Sequence, residues 1–315
     1  MHKPVLLQPT IELLDLKDGE TVVDATLGLG GHAKEMAKQI GKQGILIGFD
    51  ADSNLLAKAK KNLAEIKCRK IFINTNFRNI RSALDGEGIE QVDKVLFDLG
   101  LNSEQFDEAG RGFTFQKDEP LLMTLASKID DETLTAKEIV NTWDEENIAD
   151  IIYGYGEERM SRRIAKAIVE ARKKTEIKTT FDLVEVIRQA VPAYRQAGQF
   201  YTKKRIHFAT KTFQALRITV NDEIGALKEG LAGAWEKLSD GGRVAAISFH
   251  SLEARVVKEF FKNKVAKGEG KLVNKKAIGP EREEELANPR SRSAQLRVIM
   301  KINPSTMLGA RNQNV

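Results

Sequence analysis

Thr21-Val22-Val23-Asp24-Ala25-Thr26-Leu27-Gly28-Leu29-Gly30-Gly31-His32 is the stretch whose reading decides the fold. A short apolar run ends in a glycine-rich turn, and Ala33–Ile40 then carries a helical pattern. Glycines in a strand-to-helix turn let the backbone reverse tightly and approach a ligand without a Cβ in the way. The N–H groups opening the helix then face that ligand. A tight turn alone is the plainer reading. The dinucleotide fingerprint wants G-x-G-x-x-G. This turn reads G-x-G-G-H, a poor match to a pyrophosphate site.

Further strands follow outward from the turn: Gly44–Asp50, Lys70–Asn74 and Val92–Asp98, with a helix rich in Ala, Leu and Lys over Ser53–Ile66. Apolar strands separated by helices predict a parallel sheet covered on both faces. Asp50 ends the second strand, twenty residues after Gly30. An acid at that spacing accepts hydrogen bonds from ribose hydroxyls, in a dinucleotide or in S-adenosylmethionine alike. Asp98 ends the fourth strand, at the carboxyl edge where such folds place chemistry. Its carboxylate suits a sulfonium cation or the N–H bonds of an exocyclic amine; capping the next segment is the plainer role.

From Ser103 to about Ile206 the pattern holds no strand, only helical stretches at Glu145–Tyr153, Glu157–Lys174 and Phe181–Ala190. Strand character returns at Gly242–Ser248. This predicts one α/β domain, residues 1–103 and 207–315, with a helical insertion over 104–206 as a substrate domain. Phe213, Leu216, Val220, Ile224, Leu227, Leu231, Trp235 and Leu238 step by three or four, predicting one amphipathic helix over Thr212–Leu238.

The chain has 315 residues, 50 Lys+Arg against 45 Asp+Glu, and 41% hydrophobic residues. The length allows a large core, and the lone Cys68 excludes a disulfide framework or a multi-Cys metal site. No apolar run reaches the ~18 residues of a membrane span, and the N-terminus lacks a secretory core, so a cytoplasmic protein is expected. His2, His32, His207 and His250 form no metal-ligand spacing, and no metal is expected. A net charge of +5 is small, so any nucleic-acid argument rests on clustering. Arg162, Arg163, Lys166, Arg172, Lys173 and Lys174 fall along one predicted helix. Lys203, Lys204, Arg205, Lys211 and Arg217 follow, then Arg290, Arg292 and Arg297. Such clusters hold phosphates, or they are solvated faces. Ser251 is a candidate N-cap after the last strand, with His250 beside it.

The sequence resembles the bacterial 16S rRNA (cytosine-N4)-methyltransferases, over nearly its whole length. The resemblance rests on His2–Leu7, Asp24–Ala33, Gly110–Phe113, Arg162–Ala165, Thr212–Arg217, Ser248–Glu253 and Asn288–Ser293. It implies a class I S-adenosylmethionine methyltransferase fold, a Rossmann-like α/β sheet with an inserted all-helical domain. It implies methyl transfer to a cytidine N4 in the decoding region of 16S rRNA within the small subunit. By motif match, Gly30, Gly31, His32, Asp50, Phe77, Asp98 and Gln105 line the cofactor site, with Asp98 catalytic. Arg162, Arg163, Lys203, Lys204, Arg290 and Arg292 are the candidate RNA contacts. The alternatives are a ribosome-assembly factor that binds S-adenosylmethionine and RNA without catalysis, and an NAD-dependent oxidoreductase.

Overall fold

The computed structural model describes residues 4–100, 110–126, 129–130, 132–192 and 207–303. The chain forms two compact units, residues 1–100 with 224–315 and residues 101–223. The return to the first unit thus falls at Glu223/Ile224, later than the residue 207 read from the sequence.

The first unit holds a seven-stranded sheet in the order β3-β2-β1-β4-β5-β7-β6. The strands are β1 Thr21–Asp24, β2 Ile45–Asp50, β3 Arg69–Asn74, β4 Val92–Asp98, β5 Leu238–Ser248, β6 Gly270–Leu272 and β7 Gln295–Lys301. The first five run parallel, and β7 lies antiparallel between β5 and β6. This is the α/β sheet that the apolar runs and the resemblance lead one to expect. Near-continuous burial of Val22, Val23, Leu46, Ile47, Val95, Leu96 and Phe97 shows that helices cover both faces. One face carries α1 (Leu7–Leu14), α2 (Gly31–Gln39) and α3 (Ser53–Asn62). The other carries α4 (Ile80–Gly86), α10 (Glu223–Lys237) and α11 (Ser251–Ala266). A short α12 (Arg282–Ala287) precedes β7.

The second unit is helical: α5 Ala136–Thr142, α6 Glu145–Gly154, α7 Ser161–Arg172, α8 Thr180–Ala190 and α9 Thr210–Asn221. Ile139, Ile148, Ile152, Ile164, Ile168, Leu183, Ile187, Phe213 and Leu216 form its core. The single helix expected over Thr212–Leu238 is two helices. Asp222 breaks it in the left-handed region, φ 44° and ψ 47°, where a short polar side chain is tolerated. Phe213 and Leu216 therefore serve the core of one unit, and Leu227, Leu231 and Trp235 that of the other. Among the described residues no helix is long and apolar enough to cross a membrane.

An ion pair is buried at the sheet, Lys94 Nζ to Glu20 Oε1 at 2.8 Å, with the lysine side chain 7% exposed. Removing one partner of such a pair leaves an uncompensated charge, at a cost of about 3 kcal/mol or more. Glu20→Ala is expected to lower protection of the β1 and β4 amides by that amount in hydrogen exchange. Adding Lys94→Met to it should recover most of the loss. Unchanged protection in the single variant overturns this role.

Candidate functional site

Asp24, Asp50 and Asp98 close β1, β2 and β4, which are adjacent parallel strands, so three carboxylates meet at one edge of the sheet. Burial pushes all three above the ordinary carboxylate range: Asp24 to about 6, Asp50 to about 6 and Asp98 to about 7. Backbone donors oppose this at each position. The Thr26 N–H donates to Asp24 Oδ1 at 3.2 Å. Gly28 and Asp52 donate to the two oxygens of Asp50, at 2.9 and 2.8 Å. The Gly100 N–H lowers Asp98, and the Glu253 carboxylate raises it further.

The turn between β1 and α2 locks this edge together. The Leu27 N–H donates to Phe49 O, and the Asp98 N–H donates to Thr26 Oγ1 at 2.7 Å. Gly30 caps α2 in the left-handed region, φ 82°. Gly31 leaves room for Pro4, since a Cβ there would stand 2.5 Å from Pro4 Cγ. The N-terminal segment thus packs on the turn, and Glu284 Oε1 accepts the Leu6 N–H at 2.7 Å.

His32 is buried, with Nε2 3.0 Å from Val5 O and Nδ1 3.4 Å from Asp98 Oδ2. A carbonyl only accepts, so Nε2 carries the hydrogen and Nδ1 of the neutral ring carries a lone pair. Burial holds the His32 pKa below its usual value. Asp98 Oδ2 therefore faces the lone pair of a neutral imidazole nitrogen. Asp98 Oδ1 is buried with no hydrogen-bond partner among the described residues. An unmatched carboxylate oxygen calls for a donor or a cation.

Phe77 follows β3 on a 3-10 turn, half-buried, its ring edge-to-face with Phe97 at 5.6 Å. Gly230 of α10 gives it room, because a Cβ there would lie 2.7 Å from Phe77 Cδ2. The structure therefore gathers Gly30, Gly31, His32, Asp50, Phe77 and Asp98 in the first unit, on the strand ends and the segments that follow them. The His32 ring is turned to Val5 and Asp98. Gln105 lies outside the described residues. Sequence reasoning missed Thr26 and Glu284 as anchors, and Gly230 altogether. Thr26 stood within a motif already quoted, whereas nothing local marked Gly230.

The donor set fits an adenosyl ligand with a cationic centre. Asp50 keeps lone pairs for hydroxyls, Phe77 offers an aromatic surface, and Asp98 an unmatched oxygen. After β5, His250 and not Ser251 caps α11. The Glu253 N–H donates to His250 Nδ1 at 3.4 Å, and Glu253 Oε2 accepts from Phe249 and His250.

The basic residues divide into two sets. Arg172 donates to Val140 O and Trp143 O, Lys211 to Glu157 O, and Arg217 pairs with Glu223 through two bonds. Those three hold the second unit together. Arg162 and Arg163 are exposed on α7, and Arg290 and Arg292 are exposed before β7. Lys203 and Lys204 lie outside the described residues.

Residues 1–302 match the model of the MraW methylase family. The ribosomal RNA small subunit methyltransferase H of Symbiobacterium thermophilum is 44% identical over 320 residues, covering 96% of each chain. The protein of that name from Acetivibrio thermocellus is 44% identical over 318 residues, 96% of this chain and 99% of its own. That from Clostridioides difficile is 41% identical over 319 residues, again 96% and 99%.

Gly230→Ala separates the site from the fold. Alanine favours a helix over glycine by ~1 kcal/mol, which offsets part of the cost of displacing Phe77, about 1–3 kcal/mol for an overpacked site, so the protein should stay folded with a modest drop in thermal midpoint. The displaced Phe77 should weaken S-adenosylmethionine binding about tenfold, since aromatic–base stacking is worth about 1–3 kcal/mol. Unchanged affinity by calorimetry removes Phe77 from the site.

Proposed function

The chain belongs to the MraW methylase family, and from that premise we propose that it methylates the N4 amino group of a cytidine in 16S rRNA of the small ribosomal subunit, with S-adenosylmethionine as donor. The observation that carries this reading is Asp98 Oδ1, a buried and unmatched carboxylate oxygen at a strand end, with Asp50 ending the strand two places along the sheet. S-adenosylmethionine, when bound, supplies an electrophilic methyl group on a positive sulfur.

The residues of this chain then have distinct tasks. Asp50 accepts the ribose hydroxyls on the lone pairs its two backbone bonds leave open. Phe77 packs on the adenine, and the N–H groups around Gly30 and Gly31 approach the ligand closely. Gln105 joins this set by motif match. The cytosine amino group is a weak nucleophile, because its lone pair is delocalised into the ring. Holding it in line supplies much of the rate, since orientation contributes up to ~7–11 kcal/mol. Asp98 accepts one amino N–H, which fixes the direction of the nitrogen. It then takes the proton that the methylated nitrogen gives up, with His32 Nδ1 at hand to share it. The base is unstacked to reach this edge. Arg162, Arg163, Arg290 and Arg292 supply phosphate contacts in this reading, together with Lys203 and Lys204.

The direct test is to incubate the protein with S-adenosylmethionine and small subunits that lack the modification, then analyse nucleosides by mass spectrometry. N4-methylcytidine is expected. Binding of cofactor and RNA without transfer supports the assembly-factor alternative, and a methyl on another base overturns the assignment.

A pH series tests Asp98 separately. A bound cation favours the ionised carboxylate, so the raised pKa of Asp98, about 7, should fall on binding and a proton should leave. Affinity for S-adenosylmethionine should therefore weaken as pH drops below about 7. Affinity for the neutral product S-adenosylhomocysteine should change much less, and Asp98→Asn should remove the difference. Parallel pH curves for the two ligands in the wild type rule out a cation-facing Asp98.

A further inference from the structure

A recess of about 270 Å³ in the first unit is lined by Lys258, Lys262, Lys275, Lys276 and Arg297, over Phe261, Leu272 and Ala277. The lysines come from two separate segments. Lys258 and Lys262 stand one turn apart on α11, and Lys275 and Lys276 lie on the link after β6. Arg297 belongs to β7, where it pairs in register with Ala246.

None of the five cations has a carboxylate within ion-pair distance among the described residues. Glu259, on the same helix, pairs with neither lysine. Arg297 Nε is buried and has no hydrogen-bond partner among the described residues. Lysines four apart on a helix repel, at a cost of a few tenths of a kcal/mol, and the two on the facing link add to this. Elsewhere the chain spends its buried cations carefully: Lys94 meets Glu20, and Arg217 meets Glu223. The recess is the departure from that habit. Its floor is apolar, with Phe261 1% exposed, and low polarity beneath a charge strengthens its attraction for an anion.

We propose that this recess is a phosphate-binding site for the RNA backbone, a second anchor apart from the cofactor edge. Arg297 forms the fixed base of the site, presenting a guanidinium whose planar fork matches phosphate geometry. The four exposed lysines surround the mouth, where they reach neighbouring phosphates of one strand. A site of this composition reads charge and not base identity, so it raises affinity without setting the target nucleotide. The inference rests on the reading of the protein as an rRNA methyltransferase.

The test compares wild type with the fourfold variant Lys258→Gln, Lys262→Gln, Lys275→Gln and Lys276→Gln, all four surface residues. A control of equal charge carries Lys42→Gln, Lys60→Gln, Lys61→Gln and Lys67→Gln. Binding to 16S rRNA is measured across a salt series, beside S-adenosylmethionine affinity and methyl transfer. The recess variant should lose about 3 from the log–log salt slope, at ~0.7 per contact, and bind at least about tenfold more weakly at low salt. Its RNA KM should rise while kcat at saturation and cofactor affinity hold. Arg297→Gln alone should show the same direction with a smaller change. If the recess variant keeps the slope of the control, the site is not an RNA anchor. If it loses competition by pyrophosphate yet keeps the RNA slope, the recess takes small anions and the proposal falls. If wild type binds RNA with a slope the variant loses, but transfers no methyl, the anchor stands and the methylation reading falls. If wild type binds no RNA, both fall.

Discussion

Three carboxylates crowded on adjacent strand ends are the constraint around which the first unit is arranged. Parallel pairing places Asp24, Asp50 and Asp98 side by side, and burial penalises their charge. Each is answered by local donors: the Thr26 N–H on Asp24, two N–H groups on Asp50, and the Gly100 N–H on Asp98. Asp98 Oδ1 is in addition buried with no hydrogen-bond partner among the described residues. A positively charged ligand offsets the cost of a charge buried at this edge, which a neutral ligand does not. In the proposed reading, selection of a sulfonium donor and the buried charge of the free edge are thus one feature seen from two sides.

The strands were legible because a parallel sheet buried on both faces writes itself as unbroken apolar runs, and Val92–Asp98 matches its predicted bounds. Helix boundaries were less so. Val220, Ile224 and Leu227 keep helical spacing across Asp222, so periodicity carries no sign of the left-handed break. What changes there is the core each side serves, which a spacing rule cannot register. The cap of α11 was readable in principle. A capping box needs an acid three residues on, and that partner, Glu253, stands three after His250, not three after Ser251. The carboxylates of the site follow from strand ends, Phe77 came only through family resemblance, and Gly230 depends on a helix meeting an aromatic from far along the chain.

Clusters of basic residues proved a weak guide to surface charge. Arg172 and Arg217 sit within lysine- and arginine-rich stretches, yet each is turned to carbonyls or a carboxylate inside the second unit. The recess around Arg297 joins residues from 258 to 297 that no linear window groups. Charge that recruits a phosphate is charge the fold has not already neutralised. That property depends on partners, and partners are set by tertiary structure.

The N-terminal segment shows how far the candidate active edge reaches. Pro4 fills the space that Gly31 leaves, Val5 accepts from His32, and Leu6 is held by Glu284 of α12. His32 then passes this arrangement to Asp98 through its other nitrogen. Few side chains suit that position. Asparagine and glutamine keep both polar atoms on one terminal amide, whereas imidazole places a donor and an acceptor on separate corners of a rigid ring. The donor is fixed by a carbonyl that can only accept, so the acceptor nitrogen is the one that faces the carboxyl of Asp98. The Val5 carbonyl in this way sets which face of the His32 ring meets Asp98, and residues 4–6 pack on the edge where the fourth strand ends.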